Sequence, residues 1–319
     1  MKKILAALAL MLPVSGFCQD QPHYTMFMYN KLVYNPGYAG SRNVLSINGA
    51  YRNQWSGIDG APKNMNLSID APIGKAYSEE FHHVALGLML NRETQGPVSN
   101  TNISATYAYR IKLEKSMLSM GLQAGVALYN ANYSELTPQD VTDEQLQYDV
   151  KNAVLPNFGF GAFWSSKRFY LGLSVPNLLE NYYDKKQKDY TSGKKARQIR
   201  GYYLSGGYTI PVSEHFALQP QVLLRYNADG AYKLPMNADI NLSGIFYQRF
   251  MLGATYRTDK SIEGIVHIQV AKKFNIGYAY DYSTSDLGPY TKGAHEISIG
   301  FDFLRDLNDY MDPRFIQNY

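Results

Sequence analysis

From Val44 onward, apolar and polar residues alternate with a period of two, in segments of about ten residues. Ile103, Ala105, Tyr107, Tyr109, Ile111 and Leu113 alternate with Asn102, Ser104, Thr106, Ala108, Arg110 and Lys112. Phe274, Ile276, Tyr278, Tyr280 and Tyr282 do so with Asn275, Gly277, Ala279, Asp281 and Ser283. Strand side chains point to opposite faces in turn, so each segment has an apolar and a polar face. A soluble sandwich alternates too. Segment length and aromatic placement favour a membrane. A tilted strand needs about ten residues to cross a bilayer, against about five to six in soluble sheets. Tyr and Phe gather near the segment ends, where aromatic girdles meet headgroups. Spanning helices are excluded, because the longest apolar run, Ile4 to Val14, has eleven residues and about 20 are required.

Fourteen candidate strands follow: 44–53, 64–71, 83–92, 100–113, 116–129, 157–165, 168–175, 201–210, 216–227, 236–247, 250–258, 261–270, 274–283 and 295–303. Five connections leading from an even to an odd strand are tight and polar, at Glu114-Lys115, Ser166-Lys167, Val212 to His215, Gln248-Arg249 and Ala271 to Lys273. Most of the others are longer, notably Asn130 to Pro156, Pro176 to Arg200 and Thr284 to Ala294. Pro72 to His82 and Asp259-Lys260 break the rhythm. Short periplasmic turns and long outer loops produce this pattern, and an even strand number returns both chain ends to the periplasm. The fold class expected is all-β, a transmembrane antiparallel up-and-down β-barrel. Tyr280 and Ile299 should face lipid, and Asp281 and Glu296 the lumen.

Four regions result. Residues 1–18 read as a signal peptide, with Lys2-Lys3 ahead of the apolar run and Ser15 to Gln19 as the cleavage stretch. Cys18 also invites a lipoprotein reading, which Phe17 disfavours, since a small residue normally precedes a lipidated cysteine. Residues 19–43 form an N-terminal periplasmic or luminal segment with the turn-rich run Asn35 to Gly40. Residues 44–303 form the barrel, and 304–319 a C-terminal periplasmic tail. The two end segments at one rim predict a lumen that is not an open pore.

Chemistry is sparse. A single cysteine excludes a disulfide scaffold. The six histidines never take metal-ligand spacing, and Gly206-Gly207 lacks the following helix that phosphate binding requires. Losing two lysines with the signal peptide lowers the net charge from +4 to +2, because 31 − 2 = 29 basic residues then face 27 acidic ones. That balance gives no reason to expect nucleic acid. The chain reads as a non-enzyme with no cofactor and no metal. Two outer loops differ in charge: Asn130 to Pro156 holds five acidic residues against Lys151, and Pro176 to Arg200 holds seven basic against three acidic. Solvated loops commonly carry such charge. The sharper reading is a mutually paired lid, or contact with anionic lipid or a secreted partner.

A run of short motifs resembles the PorP/SprF family of outer-membrane proteins associated with type IX secretion. It opens with Gln21-Pro22, Met28-Tyr29-Asn30 and Asn35 to Gly40, and continues through Arg52 to Trp55, Gly60 to Lys63 and Asp70 to Ile73. Ala85 to Leu88, Gly96-Pro97, Tyr107 to Arg110, Gly161, Tyr170 to Ser174, His295 to Ser298 and Pro313 to Phe315 complete it. The chain departs from the pattern at Gly37, and in a tail that continues past Phe315. The resemblance implies an outer-membrane protein, in contact with outer-membrane lipid, that accompanies a secreted adhesin. It further implies binding of the adhesin's C-terminal domain and of periplasmic secretion or gliding-motility components. The candidate partner-binding residues are Asn35, Pro36 and Tyr38 in the N-terminal segment and Asp312, Arg314 and Phe315 in the tail. A passive porin or hydrophobic-substrate transporter is the alternative, and a soluble periplasmic sandwich a third reading.

Overall fold

A computed structural model describes residues 23–303 except 74–82, 137–148, 184–196, 230–231, 234–235 and 272. The expected signal segment and tail, with Asp312, Arg314 and Phe315, lie outside the described residues. The alternating segments form one antiparallel sheet of sixteen strand pieces. In chain order these are β1 (Leu45–Asn53), β2 (Lys63–Ile73), β3 (Val84–Gln95), β4 (Val98–Leu113), β5 (Ser116–Ala131), β6 (Val150–Ser166), β7 (Phe169–Val175) and β8 (Arg200–Tyr208). Then come β9 (Ile210–Ser213), β10 (Phe216–Asp229), β11 (Tyr232–Lys233), β12 (Asn237–Phe246), β13 (Phe250–Arg257), β14 (Ser261–Ala271), β15 (Phe274–Ser283) and β16 (Ala294–Phe303).

The barrel has fourteen staves, because two pieces are not staves of their own. β8 and β9 both pair with β10 and form one stave broken at Thr209, while β11 only tips the β10–β12 hairpin. Thr209 turns inward at the break, its N–H donating to the Arg168 carbonyl at 2.7 Å and its hydroxyl accepting from Gln219 at 3.1 Å. The sheet closes where β1 meets β16, from Leu45 opposite Phe303 to Asn53 opposite His295. Closure leaves no sheet edge in the membrane, where no water could satisfy it.

Facing follows the period of two. Leu88, Leu122, Leu173, Ile240, Tyr280 and Ile299 point outward, whereas Asp281 and Glu296 are buried inside. Rings mark both ends of the outer face. Trp164 packs edge-on to Phe169 at 4.8 Å and Phe216 lies 4.9 Å from Phe246 at one end. Tyr202, Tyr226, Tyr256 and Tyr282 stand exposed at the other. The first end carries the tight turns Glu114-Lys115, Lys167-Arg168 and Glu214-His215 and is called the turn rim; the opposite end is the loop rim.

The largest departure from the expected strands is β6, which begins at Val150 instead of 157. Pro156 suggests a strand start, but here it sits within the ladder opposite Val126 of β5. It is tolerated because β7 pairs with β6 only from Phe160 onward, so no neighbour on that side needs its missing N–H. β3 and β4 likewise extend to the two-residue turn Gly96-Pro97, with Gly96 at φ 54°. β4, β5 and β6, of 16, 16 and 17 residues, therefore form a tall wall beside the seven-residue β7.

Arginine placed at Ile299, midway along β16, should cost about 2–4 kcal/mol in folding into lipid vesicles, against about 0–1 kcal/mol at the near-rim Tyr282. Equal costs in a denaturant titration would contradict this membrane placement.

Candidate functional site

The lumen is filled by the segment ahead of β1. Residues 23–42 are all buried, although none of them belongs to the sheet. This strap has no alternation to exploit. It folds instead as turns, a single helical turn α1 (Lys31–Tyr34) and a 3-10 turn (Pro36–Tyr38). A buried segment outside the ladder must find other partners for its backbone, and the inward polar face of the barrel supplies them.

At the loop-rim end, the Glu296 carboxylate accepts the N–H groups of Thr25 at 2.6 Å and Met26 at 3.0 Å. Arg52 sits between this carboxylate, at 3.6 Å, and Asp281, at 2.7 Å, and also donates to the Thr25 hydroxyl. Arg257 extends the network to Glu263 at 2.7 Å and Asp281 at 2.9 Å. His23 lies beside Arg225 and 3.5 Å from Asp239, which pairs with Arg225 at 2.8 Å. A charge taken from water is tolerable only when paired and hydrogen-bonded. The strap thus adds two amides and a hydroxyl to a network of charged wall residues.

In the middle, aromatic rings do the holding. Tyr29 stacks on His267 with centroids 3.8 Å apart, and its hydroxyl lies 3.1 Å from Met251 Sδ. The Lys31 ammonium lies 4.4 Å from the Tyr170 ring centre and donates to the Met28 carbonyl at 2.8 Å. The buried Tyr34 hydroxyl accepts the Tyr24 N–H at 3.0 Å.

The sequence-predicted Asn35, Pro36 and Tyr38 come together here, all buried and turned toward the wall. Asn35 caps the 3-10 turn, its Oδ1 accepting from Gly37 N–H at 2.8 Å, while its Nδ2 donates to the Ala162 carbonyl at 2.9 Å. Tyr38 meets Phe163 edge-on at 5.3 Å. Gly121 and Gly161 of β5 and β6 make the approach feasible. A Cβ at Gly121 would collide with the Pro36 backbone, and one at Gly161 with the Asn35 side chain. At the turn rim, Gly40 N–H donates to Asp70 at 2.8 Å, Arg42 pairs with Asp302 and donates to Ser46 at 2.7 Å, and Arg110 donates to Asn43.

Sequence reading placed Glu296 and Asp281 on the inner face but did not see that the strap hangs on Glu296. The available signal was the apolar cluster Tyr24 to Tyr29, dense in rings yet without a period of two. A cavity of about 60 Å³ remains beside Tyr34, lined by Asn91, Ser104, Gln123 and Tyr203. A space of that size holds a few waters.

The outer loops make no cross-loop ion pair among the described residues. Asp149 takes Ser134 N–H at 3.0 Å, which holds its carboxyl below the ordinary range, and lies 3.8 Å from Lys151. Glu180 pairs with Arg197 at 3.1 Å and Arg200 at 3.9 Å within its own loop. The second loop meets the first where the Asn181 amide donates to the Pro156 carbonyl at 2.8 Å, and it stacks Tyr183 on Tyr129 near the end of β5 at 4.3 Å. Glu135 accepts from Asn132 at 3.3 Å in its own loop, and the remaining charged lid residues lie outside the described residues.

A strap this well seated predicts that the purified full chain passes no large, steady current in planar bilayers. Removal of residues 23–34 should open one. Glu296→Ala, which leaves the Thr25 and Met26 amides without their acceptor and Arg52 with Asp281 as its remaining carboxylate, should destabilise the fold by about 1–3 kcal/mol per stranded amide, read as an earlier denaturant midpoint.

The family profile described as "Type IX secretion system membrane protein PorP/SprF" matches residues 17–301. No curated protein matches the chain. Among solved structures, the CymD monoaromatic hydrocarbon channel is similar at 11% identity with a TM-score of 0.53, over 86% of this chain and 93% of that one. The Acinetobacter baumannii outer membrane protein Omp33 is similar at 6% identity with a TM-score of 0.46, over 82% of this chain and 98% of its own. At these identities the first likeness establishes the outer-membrane barrel fold alone.

Proposed function

Because the chain belongs to the PorP/SprF family of type IX secretion system membrane proteins, we propose that this outer-membrane barrel is a plugged accessory of protein export, working through its surfaces and not through a pore. Its partners on this reading are the C-terminal domain of a secreted adhesin and periplasmic components of the secretion or gliding-motility machinery. The observation that carries it is the filled lumen: residues 23–42 are buried inside the barrel. A passive porin needs an open lumen and is disfavoured for the same reason. The family and fold are those of a secretion-system outer-membrane barrel and not of a known enzyme class.

The tail carries the direct contact on this reading. β16 already closes the barrel and ends in Phe301 and Phe303, so residues 304–319 are not needed for closure. Asp312, Arg314 and Phe315 supply a charge pair and an aromatic anchor of the kind that dominates protein interfaces. Asn35, Pro36 and Tyr38 serve the function at one remove, by seating the strap. The tight turns support a periplasmic turn rim on this reading, and with it a periplasmic start of the tail.

Deletion of Leu307 to Tyr319 should leave barrel assembly intact, judged by heat-modifiable migration in gels. Adhesin export and co-purification of periplasmic partners should fall. Normal export by an assembled truncated barrel would remove the tail from the docking role.

A further inference from the structure

The sheet register lines up a separate feature on the outside of the barrel, at the loop rim of β1 to β4. Three rows of outward side chains cross these strands. The row nearest the rim is Asn53, Lys63, Thr94 and Ser99, and the next is Tyr51, Met65, Arg92 and Thr101. Below them come Gly49, Leu67, Leu90 and Ile103, the last three exposed on the apolar band. Lys63 and Arg92 are both exposed and stand as diagonal neighbours on adjacent strands, about 7–8 Å apart. The three rows hold no acidic residue. Among the described residues neither cation has an ion pair. Two short turns fix their spacing. The Gly60 carbonyl accepts the Gly96 N–H at 2.8 Å, and a Cβ at Gly60 would stand 3.2 Å from Gly96 Cα. The Pro62 carbonyl accepts the Gln54 N–H at 2.9 Å, so Lys63 opens β2 at a set height. The runs Gly60 to Lys63 and Gly96-Pro97, both singled out in sequence, build this shelf.

We propose that Lys63 and Arg92 bind the phosphate of an outer-leaflet lipid whose acyl chains lie along Leu67, Leu90 and Ile103. Like charges on neighbouring strands repel, and one anion between them turns that repulsion into two attractions. Arginine offers phosphate a planar fork and lysine a point charge, with the Thr94, Thr101 and Ser99 hydroxyls alongside as further donors. At the same end of β8, β10, β13 and β15 the outer face presents Tyr202, Tyr226, Tyr256 and Tyr282, so the cation pair marks one stretch of the circumference. A lipid fits better than an acidic protein segment, because the residues directly below the cations lie in the hydrocarbon band, which acyl chains fill. The leaflet named rests on the orientation used in the proposed function.

The test uses the purified full chain in phosphatidylcholine nanodiscs, titrated with bisphosphorylated lipid A and read by native mass spectrometry. One lipid A is expected to saturate each barrel. Lys63→Gln combined with Arg92→Gln should weaken that binding at least about tenfold, the loss of two charge-assisted contacts. Lys115→Gln on the turn rim should leave it unchanged. Both substituted side chains are exposed, so the double variant should keep the heat-modifiable migration of the unsubstituted barrel. Equal affinity in an assembled double variant would overturn the proposal, as would equal binding of lipid A stripped of its phosphates. Displacement of lipid A by an equal concentration of inorganic phosphate would overturn the lipid as the source of the anion. An acidic protein that co-purifies in place of lipid, and is lost in the double variant, would do the same. Orientation is read separately, by treating intact cells carrying Tyr290→Cys on the loop rim or Lys115→Cys on the turn rim with a membrane-impermeant thiosulfonate. Reaction at position 290 alone is expected. Reaction at position 115 alone would overturn the orientation, and with it the outer leaflet, whatever the titration reads.

Discussion

The ladder between β1 and β16 is the interaction on which the remainder depends. In a hydrocarbon layer an unpaired backbone group costs several kcal/mol, and an open sheet would carry a row of them on each edge. Nine residue pairs between the first and last strands remove both edges at once. Once the ring is closed, every stave has a lipid side and a lumen side, and facing is no longer a local choice. Arg52, Asp281 and Glu296 become neighbours because the register of β15, β16 and β1 aligns them, although they are far apart in sequence.

Closure also creates a difficulty that the strap resolves. The inner wall is rich in amides, hydroxyls and charged groups that need partners once the segment fills the lumen. Twenty buried residues from one chain segment bring N–H groups, carbonyls and rings to that wall, from Thr25 on Glu296 to Tyr34 on Ser174. Small residues set how near the strap can come. A Cβ at Gly121 would strike the Pro36 backbone and one at Gly161 the Asn35 side chain, so the shape of the plug is written partly in glycines of the wall.

Much of the barrel was legible in sequence because one variable, side-chain facing, repeats every two residues and must obey the bilayer. Strand facing at Tyr280, Asp281, Glu296 and Ile299 agrees residue by residue. The reading lost precision where the bilayer stops acting. Val150 to Pro156 extends β6 beyond the outer band of tyrosines, where polar residues are free to face either way and Pro156 resembles a boundary. The strap was opaque for a different reason. Its contacts are to partners up to 271 positions away, as for Thr25 and Glu296, and its turns follow no period. Asn35, Pro36 and Tyr38 stood out as a motif, but nothing local indicated that they would meet glycines of β5 and β6.

The direction of the strap bears on how the molecule is made. Residues 23–43 leave the ribosome before any stave, whereas β16, which seals the ring against β1, comes last. A segment tethered directly to β1 and packed on nearly every stave carries partners for the inner wall before the ring is sealed. It is therefore at hand while the later staves are still being made, and the seam between β1 and β16 can close with the plug already seated.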